Sequence, residues 1–482
     1  MKPTVTPFHA IFMASVCVFL TGSGLVPEAA FSQTAESKNM RLVGHHDLQG
    51  RSAYQPVIQE QDGRWIAYVG HHSGSALNPC AGQVEANGTS IVDVTAPAHP
   101  VYLHHIPGAG GAQMVQTCRG SDLPIGNRKT YLLRANGNRS HEVWDVTAPN
   151  RPTRVSIPVS GGNATHKNWW DCTSGIAYIV YDGRQLGWKT SRLLWIVDLS
   201  DPANPVTIRH FGLVGQEPAS TATEVPAGAH EATLSPDGSR LYIAYGTSRD
   251  GILQIVDVPT LLSCRPTCSM SPAPAALLAA QVGRLDMPRF WGAHTAWPVI
   301  AIEVPEHAQF RRASPRDFVV LVSESLANAC QEDAHHMVFM VDITDASKPF
   351  PVANYQVSES AGSFCSRGGR FGAHSMNWSY NPNFYKRLIV VSYFNAGVRA
   401  VDIRNPFQPQ EVGFYIPATT LNTAPRNGKI AIQTNNVEID NRSYIYLTDR
   451  ANSGLHIVQL TGMAAQIVQP AATMRRKVRD AP

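Results

Sequence analysis

Apolar positions along the chain fall in short runs that alternate with polar ones, and one phrase punctuates them. An aliphatic segment ends in Asp and enters a turn that Pro closes: Asp93 to Pro100, Asp145 to Pro152, Asp198 to Pro205, Asp342 to Pro349 and Asp402 to Pro409. Weaker copies surround Asp257 and Gln459. The Thr, Ser, Asn, Asp and Pro inside the phrase hold a chain reversal by side-chain hydrogen bonding or a fixed φ. A strand is predicted before and after each turn, and two more precede it in the clearest units. One example is EATLSPDGSRLYIAYG (Glu231 to Gly246), where Pro-Asp-Gly separates two alternating runs. Copies at steps of roughly 50–60 residues signal a repeat architecture. The predicted fold is all-β: a seven-bladed β-propeller of four-stranded antiparallel blades over residues 40–462. The last unit ends one strand short after HIVQLTG, and the segment from Met40 to Leu48 is expected to supply that strand. The N-terminal strand thus closes the last blade and removes an exposed edge.

These phrases resemble the LVIVD repeat of secreted and cell-surface bacterial propellers, over nearly all of residues 40–462. The resemblance implies a propeller and no particular activity, since fold does not carry function.

Residues 1–32 read as a signal peptide, with Lys2 ahead of the apolar run AIFMASVCVFL (Ala10 to Leu20) and a cleavage site near Ala30 to Ser32. No other apolar run reaches ~18 residues, so the expected mature protein is soluble, exported (periplasmic or secreted) and without a membrane span. The net charge of +4 is small, and part of it belongs to the basic C-terminal tail, residues 463–482. No patch argues for nucleic acid. In an exported protein the remaining cysteines are expected to form disulfides. The candidate pairs are Cys264 with Cys268, Cys330 with Cys365 and, less strongly, Cys80 with Cys118. Cys172 is then left over, as a buried residue.

Histidine is the unusual count, at 18. Four innermost strands begin with similar words: NATHKNWW (His166), AGAHEATL (His230), WGAHTAWP (His294) and FGAHSMNW (His374). His166 and His230 each stand twelve residues before a matching tyrosine, Tyr178 and Tyr242. Equivalent positions around a propeller axis converge on one point, and neutral imidazole suits iron, copper, zinc or nickel. His166, His230, His294 and His374 are therefore candidate ligands of one transition metal ion, iron or copper favoured and zinc possible. Gln55, Gln113 or Gln116, and Asn435 or Asn436 stand near the same level in the other blades. His71, His72, His335 and His336 face the same end as groups that support the ligands or touch substrate. Arg134, Tyr181, Asp182, Tyr393, Asn395, Asp449 and Arg450 end strands at that rim. Glu231 follows His230 directly, and strand alternation points it away from the centre. Trp169, Trp170, Trp297 and Trp378 are expected to pack between blades. His45, His46, His104 and His105 fall on outer strands.

No GxSxG, P-loop or dinucleotide fingerprint stands in a strand–helix context. The leading expectation is a metal-dependent oxidoreductase acting on a small-molecule substrate, by oxygen activation or substrate polarisation at an open coordination position. The arrangement is similar in principle to the four-histidine site of carotenoid-cleaving dioxygenases and to the methanethiol oxidases related to selenium-binding protein, though the longer motifs of neither family occur. The alternative is a non-catalytic cell-envelope propeller that binds a protein or glycan partner. A hydrolase with a zinc-bound water comes third.

Overall fold

The computed structural model of the chain describes residues 33–304, 315–330 and 334–468. The signal-peptide segment and most of the C-terminal tail lie outside them. The repeating unit is a four-stranded antiparallel sheet whose strands follow chain order. The first sheet contains Ala53–Gln61, Arg64–His71, Thr89–Asp93 and Val101–Ile106. The second contains Val115–Arg119, Thr130–Asn136, Ser140–Asp145 and Thr153–Val159. The third contains Asn168–Trp170, Ile176–Asp182, Arg192–Asp198 and Val206–Phe211. The fourth and fifth start at Ala229–Leu234 and Thr295–Ile302 and end at Gln281–Asp286 and Phe350–Tyr355. The C-terminal strands and two N-terminal ones form one nine-stranded sheet: two four-stranded units that meet at a single residue pair, Phe394 with Thr434, and the extra strand Glu36–Lys38 at one edge. The architecture is all-β and β-propeller-like.

The recurring phrase has one local cause. The Asp side chain accepts a hydrogen bond from the backbone N–H two residues on, at Asp93 (2.8 Å), Asp145 (3.0 Å), Asp198 (2.9 Å), Asp342 (2.9 Å) and Asp402 (3.0 Å). The same carboxylates pair with bases: Arg64 and Lys129 reach Asp93 and Asp145, Arg265 and Arg316 reach Asp198 and Asp342, and Arg404 reaches Asp402. The weaker copy differs. Asp257 caps Thr260 N instead, at 2.9 Å, and starts a short helix, Val258–Leu262.

Closure is direct. Met40–His46 pairs antiparallel with Gly454–Leu460, the last strand, and Glu36–Lys38 pairs with Gln410–Ile416. The chain then turns into a helix, Gly462–Val468, which buries Ala464 and Val468 against that end of the core. Contacts between successive innermost strands also run full circle. Thr117 bonds Gln59, and Gln116 bonds Trp170 N. Lys167 pairs with Glu231, His230 bonds His294 O, and His294 packs tilted against His374. His374 bonds Asn435 O, and Asn436 returns to Gln55.

Among the described residues, disulfides join Cys118 to Cys172, Cys264 to Cys268 and Cys330 to Cys365. The expected pairing of Cys80 with Cys118 is therefore wrong, and Cys172 is not left over. Cys118 lies on the innermost strand of the second sheet and Cys172 just past that of the third, so neighbouring strands bring them together. Cys80 sits instead at the turn of a small hairpin, Ser75–Asn78 with Gln83–Ala86.

Candidate metal centre

The ends of the innermost strands break the regular ladder. The register slips between Ala53 and Pro56, between Ala229 and Glu231, between Phe371 and Ser375, and between Thr434 and Val437. Each slip is an extra residue or two on the inner strand, a bulge that re-aims side chains. Tyr54, Gln55, His230, His374, Asn435 and Asn436 all sit in these slips. His166 and His294 lie just ahead of their strands, held by His166 N to Val180 O at 3.0 Å and His294 N to Val322 O at 2.7 Å.

The four imidazoles stand side by side. Ring centroids are 4.8 Å apart for His166–His230, 4.1 Å for His230–His294 and 4.5 Å for His294–His374. Tyr54 closes the circle, edge-on to His166 at 5.8 Å and to His374 at 5.9 Å. Its hydroxyl lies 3.4 Å from His166 Nε2.

Hydrogen-bond partners set the tautomers. His230 Nδ1 donates to His294 O at 3.1 Å, and His374 Nδ1 donates to Asn435 O at 2.5 Å; a carbonyl only accepts, so the proton is on Nδ1. Thr295 Oγ1 gives its proton to Glu231 Oε2 at 3.1 Å and so receives the one on His294 Nδ1 at 2.8 Å. In all three rings Nε2 is left as a lone pair. His294 Nε2 has no hydrogen-bond partner, and His166 Nε2 faces His230 Nε2 at 3.1 Å. Burial, reinforced by neighbouring cations and imidazoles, pushes all four rings well below the ordinary histidine range. They are neutral at pH 7, the form that ligates.

Two carboxylates join them. Glu324 lies 3.8 Å from His294 Nε2 and 3.6 Å from His374 Nε2, and its other contact is Arg370 Nη1 at 3.0 Å. The groups His230–Glu231–His294 and His294–Glu324–His374 each bring their donor atoms within 4.8 Å of one another. The expectation that Glu231 points away from the centre fails, because the bulge at His230 breaks the alternation. Below Glu231, Lys167 Nζ sits 3.3 Å from its carboxylate and lies over the rings of Tyr54 and Trp378.

The tryptophans form a floor. Trp169 meets Trp378 at 5.4 Å and Trp297 at 6.1 Å, and Trp297 packs on Tyr380 at 4.4 Å. They come from different sheets and meet one another, and they also pack between blades. Trp297 and Trp378 share a cluster with residues of the fifth sheet and of the unit after it, and Trp169 packs against both that cluster and the one between the third and fourth sheets. Trp170 packs likewise, inside a cluster formed by the second and third sheets. A cleft of about 340 Å³ on the far side, lined by Trp169, Leu234 and Tyr380, is separated from the imidazoles by this floor.

The other singled-out residues divide. Near the ring, His72 packs against Tyr54 at 4.9 Å and bonds Gln113 at 2.9 Å. Asn435, Asn436 and Gln55 form a hydrogen-bonded string. His336 bonds Ser323 and lies close enough to influence Glu324. Elsewhere, Arg134 is not a substrate-facing group: it is buried on Glu142, Ile106 O and Pro107 O. His71 bonds Ser90 on its own sheet, His335 bonds Val357 O, and Asp182 accepts from the backbone of Asn163 and Arg184. His71 thus ties two strands of one sheet, and the other two hold loops. Tyr393, Asn395 and Asp449 are likewise spent on backbone groups.

With the geometry in view, comparison with protein families gives one match. Residues 191–211 match the LVIVD repeat. The matched LVIVD segment spans the strand Arg192–Asp198, its Asp turn and the strand Val206–Phe211. It therefore covers an outer part of the third sheet and none of the imidazoles. No curated protein matches the chain.

Proposed function

We propose that the chain is an exported metalloprotein: a signal peptide at 1–32, a closed seven-bladed propeller at 40–462 and a tail at 463–482. Its channel centre serves a metal-dependent oxidoreductase of the oxidase or oxygenase type. The circle of contacts between inner strands supports the blade count, and the disulfides fit an oxidising compartment. Among the described residues no helix is long and apolar enough to cross a membrane.

The observation that carries the reading is the set of bare Nε2 atoms. Three rings have Nδ1 committed to fixed acceptors, and Nε2 of His166 and His230 face each other across 3.1 Å. His230 Nε2 is a lone pair there, and His166 meets it with its own Nε2 proton or, as the other tautomer, with a second lone pair that a cation would join. Burial keeps all four rings neutral, so the donor set fits a transition metal, iron or copper before zinc. His166, His230, His294 and His374 are the proposed ligands. A redox metal there supplies electron and oxygen chemistry.

The chain's own groups do the rest. Asn435 O, His294 O and Thr295 orient the rings, as partners on the far nitrogen do in metal sites generally. Glu324, held by Arg370, places a carboxylate at the ring's edge where a proton can be taken up or released. The tryptophan floor excludes water from below, which strengthens every charge interaction above it. A second reading, zinc-dependent hydrolysis, is favoured by the mixed His294–Glu324–His374 set, because two histidines and a carboxylate are a common catalytic zinc site.

Elemental analysis of the protein from its native compartment tests the centre, against a His230→Ala/His294→Ala variant. The expected result is near one equivalent of iron or copper, lost in a variant that still folds. Zinc in that role selects the hydrolase. A metal-free protein that resists reconstitution removes the centre and leaves a binding propeller.

A further inference from the structure

Above the imidazoles, on the side away from the tryptophan floor, Phe394 ends the strand Leu388–Phe394 and pairs with Thr434 across the joined sheets. Its backbone is left-handed, with φ 43°. A bulky side chain adopts that conformation only where its surroundings hold it, and such strain gathers at ligand sites. The phenyl ring lies 4.9 Å from the His374 ring. Two guanidinium groups lie against the same phenyl ring, Arg370 at 5.4 Å and Arg450 at 5.9 Å from its centroid.

The two arginines are not equivalent. Arg370 donates to Glu324 and to Ser325 O. The Arg450 guanidinium forms no hydrogen bond or ion pair with any described residue. Its own carbonyl is occupied by Ser52 and by a third arginine, Arg426, at 3.0 Å. Burial, and then the charge of Arg370, pull Arg450 down to about 10. Arg192 adds a further charge on the His166 side. Around the ring, Arg192, Arg370, Arg450 and Lys167 outnumber the carboxylates that act on them, Glu324, Glu231 and, beside Arg192, Asp182. Like charges on one ring repel, and a bound metal cation raises the excess. An incoming anion removes it.

We infer that Arg450 and Arg370 on Phe394 form an oxyanion pocket at the mouth of the channel, and that the substrate reaches the centre with a carboxylate or similar oxyanion held there. The planar guanidinium fork matches such groups with paired hydrogen bonds. The substrate half of this inference rests on the proposed centre; the anion pocket does not. Glu324 marks the boundary between the two, because it touches Arg370 on one side and the imidazoles on the other.

The test is calorimetric titration of the purified protein with inorganic phosphate and, separately, with benzoate, each sample also assayed for metal. Wild type is expected to bind at least one anion, more weakly as salt rises. Arg450→Gln is expected to weaken it at least tenfold, and Arg450→Lys by less. Benzoate binding points to a carboxylate substrate, and phosphate alone to a tetrahedral oxyanion. If Arg450→Gln does not fold, the Lys variant and the anion-induced rise of the wild-type melting temperature carry the test. Absence of binding to either anion, or equal binding in the variants, overturns the pocket. Arg450-dependent binding to a protein that holds no metal keeps the pocket and removes the centre. Metal-loaded protein that ignores both anions does the reverse.

Discussion

Lys167 and Glu231 form an ion pair sealed inside the channel, Nζ to Oε2 at 3.3 Å, with each side chain 1 % exposed. Burial works against the ammonium, but the neighbouring Tyr54 and Glu231 outweigh it and hold Lys167 charged. Removing one partner leaves a buried charge alone, which costs about 3–5 kcal/mol. Lys167→Met is expected to destabilise the protein on that scale. Lys167→Met/Glu231→Gln should recover most of the loss, because no charge is stranded. Denaturant melts of the two single variants and the double variant close the cycle. A double variant as unstable as the sum of its parts would show that the pair is not coupled.

Thr295 is expected to control metal affinity without touching metal. Its hydroxyl receives the His294 Nδ1 proton and passes its own to Glu231. Thr295→Val keeps the volume and deletes the relay, which frees the tautomer of His294. Partners of this kind are worth about 10–100-fold in metal affinity. Competition with a chelator should show that loss in Thr295→Val and near-normal affinity in Thr295→Ser. Unchanged affinity in the Val variant would assign Thr295 to packing alone.

The parts of this molecule that follow from neighbours in sequence were legible in the chain. Each Asp turn needs only a carboxylate and the N–H two residues on, so its position could be read from the phrase itself. The level of the four imidazoles was readable because Gly-Ala-His recurs at His230, His294 and His374, and His166 stands twelve residues before Tyr178 as His230 does before Tyr242. What was hidden depends on bulges. Tyr54 and Glu231 face the centre because an extra residue shifts the inner strand, and no alternation pattern contains that shift. Lys167 and Glu324 were passed over for a different reason: each reaches the centre from beside a ligand or from a second strand, where charge is usually solvated. The Cys118–Cys172 pairing needed knowledge of which innermost strands are neighbours, and sequence spacing does not supply it.

That disulfide is expected to matter more than the shortest one. Cys118–Cys172 joins residues 54 apart and ties the second sheet to the third, whereas Cys264–Cys268 spans 4. The loss of unfolded-chain freedom grows with the loop, and a disulfide typically stabilises by about 2–4 kcal/mol. Cys118→Ala/Cys172→Ala should fall toward the upper end of that range and Cys264→Ala/Cys268→Ala toward the lower. Chemical denaturation at one pH ranks them. Equal losses would place the effect in the folded state instead.

Glu438 supplies a pH dependence of its own. Its carboxylate is buried and accepts from Ser379 Oγ at 2.6 Å, Ile439 N at 2.7 Å and Trp378 N at 3.2 Å. Burial raises it to about 7 from 4.5, and these donors only partly oppose the rise. Between those two values the folded protein holds a proton that the unfolded chain releases. The stabilisation is therefore complete below the unfolded value and is lost as pH climbs through the folded one. The slope cannot exceed about 1.4 kcal/mol per pH unit for one group. Glu438→Gln keeps the shape and cannot ionise, so its stability should decline less steeply than that of wild type. Urea melts of both proteins between pH 5 and pH 8 measure the divergence. Parallel curves would mean that Glu438 stays ionised in the fold, with its donors outweighing burial.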